Sequence, residues 1–124
     1  MSTVLIVEDN EKNMKLARDV LQAKGYQTLE AVTGEEGVRL AKAELPDLVL
    51  MDIQLPGING IEAFKQLRAD AKTARIPVVA LTASVTPTDR SAITAAGFDA
   101  FIGKPINLKE FVDTVKRLGD GVRK

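Results

Sequence analysis

The sequence predicts a doubly wound α/β fold: a five-stranded parallel sheet between two layers of helices, α/β/α. Three observations carry that reading. Short runs of strand length recur: Thr3 to Val7 is β-branched, and Leu48 to Met51 is apolar without alternation, as suits a strand covered on both faces. Between the runs lie longer segments with apolar residues at helical spacing, opened by capping signals and closed by glycine or proline. The strict alternation of the two kinds of segment requires right-handed crossovers, which build a parallel sheet. At 124 residues one domain is expected, spanning 1–119 with 120–124 as a short frayed tail and no output domain after the last helix.

The elements follow in order. Thr3-Val4-Leu5-Ile6-Val7 is the first strand and ends in Glu8-Asp9-Asn10. In the next helix Leu16, Ala17, Val20 and Leu21 form the apolar stripe, Asn13 prolongs it, Met14 falls off it, and Gly25 stands where a terminating glycine belongs. Tyr26 to Ala31 is a mixed-polarity strand suited to a sheet edge. Thr33 and Glu36 have capping-box spacing for a helix to about Glu44, and Pro46 closes the unit. The third strand is the run Leu48 to Met51, Asp52 sits where it stops, and Pro56-Gly57 bound it downstream; Asn59 and Glu62 then repeat the box, with Ile61, Phe64 and Leu67 facing inward. Ile76 to Leu81 is the fourth strand, with its proline at the start, where ladder bonding has barely begun. It ends at Thr82-Ala83-Ser84. Thr86-Pro87 opens a fourth helix with only Ala92, Ile93 and Ala96 inward, the most lightly anchored of the set. Asp99 to Gly103 is the fifth strand. After Lys104-Pro105, Asn107 and Glu110 cap a last helix with Leu108, Phe111, Val112, Val115 and Leu118 inward.

Composition narrows the function. Lys plus Arg number 17 and Asp plus Glu 17, so no net field draws the chain to nucleic acid or to anionic lipid. The chain contains neither histidine nor cysteine, which removes disulfides, imidazole or thiolate metal sites, and Ser-His or Cys-His nucleophiles. Any metal must be a hard cation on oxygens. No run is long enough to cross a bilayer and no leader precedes the first strand, so a soluble cytoplasmic protein is expected.

Doubly wound sheets place their site outside the carboxyl ends of the strands, where strand order reverses. In the flavodoxin-like order 2-1-3-4-5 that crevice lies between the first and third strands, which end in Glu8-Asp9 and Asp52. Carboxylates gathered there repel: two unit charges about 4 Å apart interact by roughly 4 kcal/mol at an effective dielectric near 20. They need a cation, and Mg²⁺ suits oxygen ligands, with Mn²⁺ able to substitute. Lys104, leaving the fifth strand, adds an ammonium, and Thr82, ending the fourth, a hydroxyl. Taken singly these residues have ordinary readings: a solvated helix start, a buried carboxylate accepting N–H bonds, a strand threonine, a surface turn. Their shared rim favours phosphoryl transfer, with Asp52 as the carboxylate nucleophile.

With those residues in place the chain resembles the receiver domains of two-component response regulators along nearly its whole length. The positions that carry the resemblance are Glu8-Asp9, Asp52, Thr82, Phe101 and Lys104-Pro105. Val4 to Glu11, Asn13 to Leu16 and Leu50 to Pro56 are similar, more narrowly, to single-domain DivK-type cell-cycle regulators of alpha-proteobacteria. The resemblance implies that Asp52 accepts a phosphoryl group from a histidine kinase or histidine phosphotransferase. It implies that Glu8, Asp9, Asp52 and the Gln54 carbonyl organise Mg²⁺, that Thr82, Ala83 and Lys104 hold the phosphoryl oxygens, and that Phe101 is the switch aromatic. Pro105 would follow a cis peptide bond, and Gln54 and Ser84 would tune phosphoryl lifetime. Two rivals fall to single residues. A haloacid-dehalogenase-type phosphatase would carry its nucleophile on the first strand with an aspartate two residues on, and after Asp52 that place is Gln54. A flavodoxin-like electron carrier would need a Ser/Thr-rich phosphate loop where Glu8-Asp9-Asn10 would repel phosphate.

Output is expected through the face of the fourth helix, fifth strand and fifth helix, toward a downstream protein, with the chain a monomer or an activation-dependent dimer. The kinase or phosphotransferase is expected to dock on a small exposed apolar patch formed by Asn13, Met14, Pro105 and Ile106.

Overall fold

The computed structural model describes residues 2–55, 57–82, 87–104 and 106–118, without the side chains of 87–90. Five strands, β1 (Thr3–Val7), β2 (Gln27–Ala31), β3 (Leu48–Asp52), β4 (Val78–Thr82) and β5 (Ala100–Gly103), alternate with five helices. These are α1 (Glu11–Ala23), α2 (Gly34–Glu44), α3 (Gly60–Ala69), α4 (Pro87–Ala96) and α5 (Leu108–Lys116). All pairings are parallel and the sheet order is β2-β1-β3-β4-β5, as expected.

Strand alternation divides the core in two. Val4, Ile6, Leu48, Leu50, Val79, Leu81 and Ile102 face α1 and α5, where Met14, Ala17, Leu21, Phe111 and Val115 meet them. Leu5, Val7, Val49, Met51 and Val78 face the other layer, where Val38, Ala41, Ala63, Phe64 and Leu67 pack. β3 and β4 are buried throughout, whereas β2 is partly open, as an edge strand should be. The side chains of Thr33, Asn59 and Asn107 accept hydrogen bonds from the N–H groups of Glu36, Glu62 and Glu110, so the three box spacings mark real helix starts. The chain turns out of α1 and α4 at Gly25 and Gly97, both at positive φ.

Several inward assignments shift. In α1, Met14 is only 6% exposed and Leu16 is 37% exposed, so the buried stripe is Met14, Ala17 and Leu21, with Val20 at its margin. Asn10 caps this helix through Oδ1 to the N–H groups of Lys12 and Asn13. Packed on the sheet from that start, the helix buries a stripe that includes Met14 and turns Leu16 outward. In α5, Leu108 is the first helical residue and half exposed, while Thr114 joins the buried face. In α3 the buried residues are Gly60, Ala63, Phe64 and Leu67, with Ile61 half-buried, and in α4 Ile93 is buried while Ala92 is exposed. The Thr86 cap, the Pro87 side chain, Ala83, Ser84, Pro105 and the 120–124 tail lie outside the described residues.

Candidate functional site

Parity along the strands decides which side chains meet. Glu8 continues β1 in phase with Val4 and Ile6, Asp52 ends β3 in phase with Leu48 and Leu50, and Lys104 follows β5 in phase with Ala100 and Ile102. All three therefore emerge on the α1/α5 side of the rim. The backbone secures each position: the N–H of Glu8 donates to the Ala31 carbonyl at 3.0 Å, that of Ile53 to Leu81 at 2.9 Å, and that of Lys104 to Thr82 at 2.8 Å.

The side chains converge. Carboxylate oxygens of Glu8, Asp9 and Asp52 lie within 4.8 Å of one another. Lys104 Nζ stands 2.6 Å from Glu8 Oε1 and donates to Asp52 Oδ2 at 2.9 Å. The other Asp52 oxygen, Oδ1, accepts the Gln54 N–H at 3.0 Å. Glu8 is 1% and Asp52 3% exposed, whereas Asp9 is open to solvent. A further constraint comes from α3, whose first residue packs on the nucleophile's own backbone. A Cβ on Gly60 would lie 2.2 Å from the Asp52 carbonyl oxygen, so only glycine lets the helix start there.

The electrostatics are unbalanced. Burial, then a hydrogen bond with Asp52, pushes the Glu8 carboxyl up to about 7, against the opposing pull of Lys104. Burial alone would lower Lys104, but its contacts with Glu8 and Asp52 prevail and its pKa is raised, so it stays charged. Lys104 forms a close ion pair with Glu8 Oε1, and no other donor among the described residues reaches that buried oxygen. The cluster thus has three carboxylates to one ammonium. A hard divalent cation fits that donor set, since every side-chain ligand is oxygen and the carboxylates outnumber the ammonium.

Thr82 and Phe101 occupy the opposite parity, toward the other helical layer. Thr82 is buried beside Gly103 in register, and Phe101 is half-buried beside Ala80. The two therefore share one face of adjacent strands. Gln54 has an exposed side chain and Asn13 a half-buried one, and Ile106 packs against the α1/α5 core. The patch expected beside the acceptor is corrected at Met14: its side chain belongs to the core beneath the rim and offers no docking surface. Ala83, Ser84 and Pro105 are not among the described residues.

The profile of the response regulator receiver domain matches residues 4–116. The chain belongs to that family. It is 47% identical over 119 residues to the polar-differentiation response regulator DivK of Brucella ovis, an alignment covering 95% of this chain and 97% of the relative. Among solved structures, a putative response regulator from Chloroflexus aurantiacus superposes with a TM-score of 0.90 at 32% identity, covering 95% and 97% of the two chains. The receiver domain of a sensor histidine kinase from Pseudomonas aeruginosa, solved with a magnesium ion coordinated in its active site cleft, gives 0.89 at 31% identity with the same coverage. Receiver domains are signalling modules that work with histidine kinases or phosphotransferases, and the acidic cluster here is compatible with their metal site. No helix among the described residues is long and apolar enough to cross a membrane.

The sequence pointed to the acids, the lysine and the threonine, but it passed over Gly60, which could have been suspected from a glycine that directly follows a capping asparagine.

Proposed function

We propose that the chain accepts a phosphoryl group on Asp52 and signals through the protein contacts this modification changes. The reading is carried by one observation: acids from the ends of β1 and β3 and the lysine beyond β5 meet at a single buried point. Glu8, Asp9, Asp52 and the main-chain carbonyl of Gln54 would hold Mg²⁺, or Mn²⁺ in its place. When bound, the cation neutralises charge on the phosphoryl oxygens.

The chain's own residues do the rest. The donor is a phosphohistidine of a kinase or phosphotransferase. An oxygen of Asp52 attacks phosphorus, the P–N bond breaks, and its electron pair stays on the imidazole nitrogen. The Gln54 N–H and Lys104 orient that carboxylate beforehand. The product carries about 1.5 to 2 negative charges, which Lys104 is placed to follow, with Thr82 and the Ala83 segment holding the remaining oxygens. Water later reverses the modification at a rate tuned by Gln54 and Ser84, so the protein catalyses only its own phosphorylation and dephosphorylation. While the phosphoryl group is in place, Thr82 moves toward it, Phe101 fills the space on the shared face, and the face formed by α4, β5 and α5 changes for its partner. The likeness to a polar-differentiation regulator supports a role in division or polarity. Balanced charge argues against nucleic-acid partners, and we place the protein in the cytoplasm as a monomer or an activation-dependent dimer.

Incubation with acetyl phosphate, followed by intact-mass measurement, tests the chemistry. One phosphoryl group per chain should appear with Mg²⁺ and be absent with a chelator or in Asp52→Asn. Continuous turnover of the donor without a stable adduct would instead mark a phosphatase. Thr82→Ala should still be phosphorylated yet lose phosphorylation-dependent partner binding, and unchanged binding would refute the switch.

A further inference from the structure

We infer that Glu35, on the first turn of α2, is a positioning residue for the phosphoryl site, acting through the loop between β3 and α3. The inference rests on the reading of that site given above. This loop begins at the nucleophile and contains Gln54, whose carbonyl is the fourth oxygen offered to the cation. It is closed at its base by the Gly60 N–H, which donates to the Ile53 carbonyl at 2.9 Å. Its far end is held from outside: the Ile58 N–H donates to Glu35 Oε2 at 3.3 Å.

The fit around that carboxylate is close. Gly57 has φ +76°, and a Cβ there would lie 2.7 Å from Glu35 Oε2 and 2.8 Å from Oε1. The carboxylate therefore lies over a bare Cα. The residue before it, Gly34, is equally tight, since a Cβ would stand 2.8 Å from both the carbonyl oxygen and Cγ1 of Ile58. Two successive residues at the start of α2 thus seat the loop, and α2 itself is fixed by the Thr33 cap and by Gly37 packed on Val7 of β1. The chain of contacts runs from β1, which carries Glu8 and Asp9, through α2 to the loop that follows Asp52. Acidic residues in a helix's first turn are favoured by the helix dipole alone, which would need no loop and no bare Cα opposite. Glu35 makes a directed contact in addition, and it couples the two strand ends whose carboxylates must share one ion.

The distinction between a directed hydrogen bond and a simple charge gives the test. Glu35→Gln keeps an acceptor for the Ile58 N–H and removes the charge; Glu35→Ala removes both. In the metal-free protein, amide exchange at Ile58 measured by NMR should quicken in Glu35→Ala and stay near wild type in Glu35→Gln. Mg²⁺ affinity by titration calorimetry should fall on the order of ten-fold in Glu35→Ala, the lower end for loss of an outer partner of a metal site, and be largely retained in Glu35→Gln. The rate of labelling by acetyl phosphate should need more Mg²⁺ in Glu35→Ala but reach the wild-type value at saturation. Unchanged Mg²⁺ affinity in Glu35→Ala, or equal losses in both variants, overturns the inference while the phosphoryl site stands. A wild-type chain that neither binds Mg²⁺ nor gains a phosphoryl group removes both.

Discussion

Two clusters of charge sit at opposite ends of the sheet, and they are built on different terms. At the amino end of β4, Arg68 donates to the Ile76 carbonyl at 2.6 Å and to Asp99 Oδ2 at 2.8 Å, while that same oxygen accepts the Val78 N–H at 2.8 Å. The guanidinium also lies 4.6 Å over the Phe64 ring, which stacks on Phe98 with centroids 4.1 Å apart. Both charged groups keep a share of solvent. At the carboxyl end, Glu8 and Asp52 are buried with Lys104 between them, and once Glu8 loses its proton the sum is one negative charge too many. The first cluster closes on itself and braces α3, β4 and β5. The second is left unbalanced, and a buried imbalance persists only where something else is to be bound.

The largest break in this comparison should come from Lys104→Met. In the metal-free protein at pH 8 it leaves two buried carboxylates without their cation, at a cost of about 3 kcal/mol, the lower end for stripping one partner from a buried pair. Urea unfolding should show the loss shrinking at pH 5.5, where Glu8 can hold a proton, and shrinking again at pH 8 with millimolar Mg²⁺. A loss that is the same at both pH values and indifferent to Mg²⁺ would mean the acidic cluster carries no imbalance.

Wild-type stability should itself fall with pH when no metal is present. The folded chain holds the Glu8 proton to about pH 7 against 4.5 for the free group, so between those values the native state binds more protons than the unfolded one. The contribution is complete below about 4.5, is lost as pH rises through about 7, and amounts to roughly 1–3 kcal/mol. Glu8→Gln should flatten this profile. Mg²⁺ should also reverse it, because the ion binds the deprotonated carboxyl and gains affinity as pH rises. A wild-type profile already flat from pH 5 to 8 would show that Glu8 is not held in tension.

The unequal terms of the two clusters explain what the sequence made legible. All five strands and three helix caps follow from local signals, because a run such as Leu48 to Met51 or a pair such as Asn59 and Glu62 carries its whole meaning within a few residues, whereas the sheet order came from the fold class. Glu8, Asp9, Asp52 and Lys104 were legible for a related reason: each sits immediately after or at the end of a strand, and parallel topology brings strand ends together whatever the helices do. The phase of α1 was not. The expected stripe and the observed one share Ala17 and Leu21, and Leu16 and Met14 are both apolar, so nothing local chooses between them. The choice is made by how the helix, capped at Asn10, lies on β1 and β3. Arg68 with Asp99, and Glu35 with Gly57, are 31 and more than 20 residues apart, and no periodicity announces such pairs.

The brace supplies the smallest and sharpest test. Arg68→Ala removes the guanidinium from the Ile76 carbonyl, from Asp99 and from the Phe64 face, yet Asp99 stays partly exposed and the Val78 N–H keeps its acceptor. The loss should therefore be near 1–2 kcal/mol in urea unfolding, as for a few partly exposed hydrogen bonds to a charged group. It should be independent of Mg²⁺ and leave the labelling rate by acetyl phosphate unchanged, since α3 and β4 remain packed through Phe64, Leu67 and Val78. If Arg68→Ala instead lowered Mg²⁺ affinity, the two ends of the sheet would be coupled, and the division between a closed brace and an open site would have to be given up.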